Sequence, residues 1–162
     1  MTETSAAPAT LKARLRADLT TAMKARDTLT TGTLRLALAA ITTAEVSGTT
    51  AKELTDTEVI AVLGKEVRKR AEAAEAFAGA GRAEQAAKEE AEAAVLNGYL
   101  PTPLTDTEIS DLVVAAVGSV AASTGGSVTM RQMGLVIKQV QAASAGRADG
   151  SRISAAVKAA LA

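Results

Sequence analysis

Two short stretches of this chain carry residue types that could do chemistry. In "KEVRKR", Lys65, Arg68 and Lys69 stand at i, i+3 and i+4, which on a helix puts all three cations on one face. Such a face could hold phosphates, each contact adding a salt-sensitive increment to affinity. It could equally be a solubilising surface paired with Glu66, Glu72 and Glu75, and spacing alone favours that reading, because ion pairs on surfaces are common and weak. In "AGRADGSR", Gly146 suits the left-handed position that ends a helix, and Asp149 is placed to cap the next one, with Gly150 inside its first turn. Turn chemistry explains most of that polarity. Arg147 is the residue such a turn does not require. Beside a helix N-terminus, whose free amides attract anions, it is a candidate phosphate contact.

What the sequence lacks narrows the chemistry further. There is no histidine and no cysteine, so the usual general base and the soft metal ligands are missing. No serine stands in a nucleophile-elbow context, and "GAGR" at Gly79–Arg82 lacks the Lys-Ser/Thr that would follow in a phosphate loop, so it reads as a turn between helices. Glu89, Glu90 and Glu92 cluster, but a charge run on a helix reads as a solvated face, here paired with Lys88 and Arg82. No catalytic residue, metal ligand or cofactor is therefore assigned, and stand-alone catalysis is not expected. Basic and acidic residues balance at 18 each, so there is no global field that would mark a dedicated nucleic-acid binder. Any polyanion would have to be held by a local patch.

These residues need elements to position them, and helical periodicity dominates the chain. Leu11, Leu15, Leu19, Ala22 and Met23 form one stripe, with Lys12, Arg14, Arg16 and Lys24 off it and Thr10 as N-cap. A second helix starts at Asp27 or Thr28, carries Leu34, Leu38 and Ile41, and ends where Gly48 offers a C-cap. "LTDTEVI" and "LTDTEIS" each place a Thr three residues before a Glu, the capping box, with Leu54 and Leu104 as hydrophobic staples. Thr129 and Gln132 form a third such pair. From Thr55 the stripe runs Val59, Leu63, Val67, Ala71, Ala74 to Phe77; after the Gly79–Arg82 turn an acidic helix extends to Asn97.

Two prolines and a glycine in "GYLPTPLT" then end the helical pattern. The reading is all-α: a disordered tail at 1–9, a domain of long antiparallel helices at 10–98, a linker at 99–104, and a three-helix tail domain at 105–162. The tail helices start at Thr105, Thr129 and Asp149. Tyr99, at the joint, is expected to be largely buried. No apolar run approaches the ~20 residues that span a bilayer, and "MTETSAAPAT" lacks the basic and apolar regions of a secretion signal. A soluble, cytoplasmic protein without membrane contact is expected.

Taken together, "TLRLALAAI", "KEVRKRAEAAEAFAGAGR", "KEEAEAAVLNGYLP" followed by "LTDTEI", "MRQMGLVIKQV" and "GRADG" resemble the YqeY family in order and spacing, from about Leu11 to the C-terminus. That family is related to the C-terminal helical and tail region of the B subunit of glutamyl/aspartyl-tRNA amidotransferase, where the tail helps to hold tRNA and catalysis occurs elsewhere. The resemblance implies an all-helical protein in two parts. It also implies a tRNA or an aminoacyl-tRNA-handling enzyme as partner, and a carbon–nitrogen ligase label (glutamine as amido donor) by kinship. Carried over residue by residue, the tail contacts are Lys138, Arg147 and Arg152, with Gly146, Asp149 and Gly150 shaping the turn. Ser144-Ala145 and Ser151 stand where the family pattern often has basic residues. A protein–protein adaptor that never touches RNA is the alternative, favoured by the acidic helix from Arg82 to Asn97.

Overall fold

The computed structural model describes residues 9–162, so the expected tail lies outside the described residues except for Ala9. Among these residues the secondary structure is entirely helical: seven α-helices and one 3-10 turn. The chain divides between Leu100 and Pro101 into two compact units.

The N-terminal unit contains α1 (Leu11–Lys24), α2 (Thr28–Glu45), α3 (Asp56–Gly79) and α4 (Ala83–Asn97). Each of the first three begins where a side chain meets the free amides of its first turn. Thr10 accepts from the Ala13 amide at 3.1 Å and Asp27 from that of Thr30 at 3.0 Å. Thr55 and Glu58 close a full capping box. The core is Leu15, Leu34, Ala37, Ile41, Val59, Leu63 and Leu96, and each fully buried Leu, Ile or Val contributes about 1.5–3 kcal/mol of transfer free energy. With a single Tyr and a single Phe in the chain, close helix approach rather than ring packing fills the space.

The C-terminal unit contains α5 (Asp106–Thr124), a 3-10 turn (Met130–Gln132), α6 (Met133–Ser144) and α7 (Gly150–Leu161). Its core runs through Leu104, Ile109, Val113, Val120, Val136, Val140, Ile153 and Val157. Thr105 and Glu108 cap α5, and Leu104 and Ile109, at the staple positions around that box, share the core. Asp149 caps α7 through the Arg152 amide at 2.9 Å.

Several local expectations are corrected. Lys12 is buried rather than off the stripe, because it falls three residues before Leu15 and meets Glu45 at the end of α2, at 2.6 and 2.7 Å. Met23 is half exposed and Ala71 is exposed. The helix α2 ends at Glu45 on Val46, so Gly48 is not its C-cap. The Thr129–Gln132 box opens the 3-10 turn, and α6 itself starts only at Met133. No helix among the described residues is long and apolar enough to cross a membrane.

Candidate nucleic-acid interface

The corner between α6 and α7 holds the "GRADG" residues. Two successive residues turn left-handed there, Ala145 at φ 48° and Gly146 at φ 78°. Gly146 is where the backbone asks for glycine. The C-cap of α6 is Ala145, one residue earlier than expected. Gly150 is different: it is the first residue of α7, and a Cβ on it would meet only Gln141 Nε2 at an ordinary 3.7 Å. The turn therefore does not need a glycine at 150.

Arg147 is engaged, contrary to the expectation that the turn has no use for it. Its Nε donates to the Thr102 carbonyl at 2.8 Å, its own carbonyl accepts from the Leu104 amide at 2.7 Å, and its amide donates to Ser144. These bonds tie the turn to the strap that leads into α5. Arg152 reinforces the same junction by pairing with Asp106 at 2.7 Å. The Thr105 amide holds the Glu108 carboxyl below the usual carboxylate range, with a smaller contribution from the charge of Arg147. So Arg147 and Arg152 do come together, as parts of a clasp on the start of α5, while Asp149 serves as the cap of α7. Lys138 lies apart from them, exposed on α6.

In the N-terminal unit, Lys65, Arg68 and Lys69 all lie exposed on α3. The next residue does not. Arg70 is only 5% exposed, and its guanidinium is satisfied on several sides. Nη1 donates to the Glu66 carboxylate at 2.8 Å and to the Glu66 carbonyl at 3.1 Å, and Nε donates to Glu92 of α4 at 3.1 Å. Glu66 is thereby drawn inward. Glu92 likewise belongs to an interior ion pair rather than to a solvated face, and its contact with Lys88, at 3.9 Å, is peripheral. An open cleft of about 330 Å³ lies over this pair, lined by Leu36, Ala40, Lys69, Arg70, Ala73 and Glu89 among others.

The family profile described as Yqey-like protein matches residues 12–161. The chain belongs to the YqeY family. No curated protein sequence matches it. The YqeY match runs through both units, so the exposed triad on α3 and the clasp at the α6–α7 corner both lie inside the family domain. No group of three or more Asp or Glu side chains that could hold a metal ion occurs among the described residues.

Each unit of the YqeY chain also holds its own side of the boundary. Leu100 and Tyr99 pack against the core of the N-terminal unit, while Thr102 and Leu104 are bonded to Arg147 in the C-terminal one. Tyr99 is partly rather than largely buried, because its hydroxyl reaches out to donate to Asp18 at 2.6 Å and the Arg14 guanidinium stacks 5.0 Å from its ring centroid. Burial first, then the hydrogen bond and negative charge of Asp18, push the phenol up from 10.0 to about 12, against the opposing charge of Arg14. Tyr99 is the only tyrosine and there is no tryptophan, so alkaline tyrosinate absorbance reads this one group. Its midpoint is expected near 12 in the folded protein and near the ordinary ~10 in denaturant. The neutral phenol is the form that folding favours, so its stabilisation is complete below about 10 and is lost as pH rises from there through the folded value. Asp18→Asn should bring the folded midpoint down. A midpoint near 10 in the folded parent would show that the Asp18 contact does not form.

Proposed function

We propose that this YqeY-family chain is a non-catalytic helical module that binds tRNA, alone or on a tRNA-handling enzyme, in the cytoplasm. The observation that carries the reading is a division of labour among cations. Arg70, Arg147 and Arg152 hold the fold together, whereas Lys65 and Lys69 stand exposed on α3, beside Arg68, which is exposed but has a partner of its own. That exposed face has the form of a phosphate-holding surface. The reading assigns the chain no reaction of its own, so kinship to glutamine-dependent carbon–nitrogen ligases is one of descent and shared tRNA. Retention of bulk tRNA on filters is expected at low salt and should fall steeply toward physiological salt, because phosphate contacts release counterions. Lys65→Ala with Lys69→Ala should flatten that salt dependence. Absence of retention at low salt would overturn the proposal.

A second reading, the protein–protein adaptor, draws on the engagement of Arg147 and Arg152 inside the chain and on the exposed Leu36 at the cleft over Arg70. It predicts an association that survives ribonuclease and is weakened by Leu36→Ala.

A further inference from the structure

The C-terminal unit has five basic and four acidic residues, but the two signs are not mixed. The acidic ones are Asp106, Glu108 and Asp111 at the start of α5, and Asp149 at the start of α7. Asp106 pairs with Arg152, Glu108 closes the box with Thr105, and Asp149 caps α7. The whole stretch 112–148 contains no carboxylate and three cations, Arg131, Lys138 and Arg147. Arg147 is bonded to Thr102. Arg131 and Lys138 are exposed, and no hydrogen bond or ion pair among the described residues engages either side chain.

Their placement makes them a surface. Arg131 sits in the 3-10 turn that runs directly into α6, and Leu135 and Lys138 follow at i+4 and i+7, so the three share the outward side. The two charges are separated by about 10 Å along the axis. Leu135 between them is 53% exposed, and Gln139 and Ala142 beside it are exposed as well, while Val136, Val140 and Ser144 take the buried side. A 3-10 turn and helix that carry one cation each and an exposed leucine between them, with no carboxylate along either, are complementary to a polyanion that also offers apolar surface.

We propose that the outward face of α6, rather than the "GRADG" turn, is where the C-terminal unit docks RNA. Arg131 and Lys138 contact backbone phosphates, and Leu135 lies against a sugar or base between them. This rests on the tRNA reading above. Bulk tRNA binding to the full chain is measured by filter retention across a salt series. For Arg131→Ala/Lys138→Ala, loss of two phosphate contacts should lower the slope of log affinity against log salt by about 1.4–1.8. Leu135→Ala should weaken binding with the slope unchanged, and Arg147→Ala should leave the slope unchanged. Arg131, Leu135 and Lys138 are all exposed, so circular dichroism and melting of their variants should match the parent.

Parental binding with an unaltered slope in the double variant would overturn this assignment while leaving the tRNA reading standing. A slope lowered by Arg147→Ala instead would move the contact back to the turn. No parental retention at low salt would overturn both. Unchanged tRNA binding alongside loss of a ribonuclease-resistant protein partner in the double variant would give the face to an acidic protein, and the proposal would fall.

Discussion

Arg70→Ala is expected to destabilise the N-terminal unit by about 3–5 kcal/mol, the range for breaking a buried ion pair by removing one partner. The reason lies in what remains. The Glu66 and Glu92 side chains are 19% and 13% exposed, and without the guanidinium two carboxylates would face each other in a poorly solvated space between α3 and α4. Arg70→Lys should recover only part of the loss, because a single ammonium cannot reproduce the fork that reaches Glu66 with Nη1 and Glu92 with Nε. The informative control removes the whole group. Arg70→Met with Glu66→Leu and Glu92→Leu should come close to the parent or exceed it, since replacing a buried ionic triad with apolar groups is often neutral or stabilising. Urea midpoints measure all three. An Arg70→Ala protein within about 1 kcal/mol of the parent would mean that water reaches the pair through the cleft and that the charges are solvated.

Arg70 also shows where the sequence was readable and where it was not. Start signals were legible because a cap is a local contract: Thr55 with Glu58 and Thr105 with Glu108 lie within one turn, and no distant element decides whether they meet. The apolar stripes that follow them were legible for the same reason. Inside "KEVRKR" four cations look alike, and the one that turns inward is chosen by α4, which covers one face of α3 and brings Glu92. A signal was present all the same. Arg70 stands seven residues after Leu63 and four before Ala74, in line with the buried stripe, whereas Ala71 lies beside it. Lys12 carries the same signature, three residues before Leu15. A cation at stripe register marks an interior ion pair whose partner must come from another helix. The clasp at Arg147 was beyond such reasoning, because Thr102 lies 45 residues away across three elements.

Leu104→Ala is expected to cost the C-terminal unit about 2–4 kcal/mol, within the range for truncating a core leucine. Leu104 is 7% exposed and belongs to the cluster that contains Ile109, Val136 and Ile153. It precedes the Thr105 cap, so its side chain also sets the angle at which the chain enters α5, and its amide donates to the Arg147 carbonyl at 2.7 Å. Truncation leaves that amide in place but removes the packing that keeps it there. Arg147→Ala should cost less, about 1 kcal/mol, because it removes a single hydrogen bond from a partly exposed side chain and leaves the backbone bond to Leu104 intact. Denaturant midpoints give the ranking, and hydrogen exchange at the Leu104 amide gives its cause. Exchange should accelerate strongly in Leu104→Ala and modestly in Arg147→Ala. If Arg147→Ala proves the more damaging of the two, the guanidinium rather than the core holds the strap, and the polarity of "GRADG" in this chain is a structural clasp in its own right, independent of the packing beneath it.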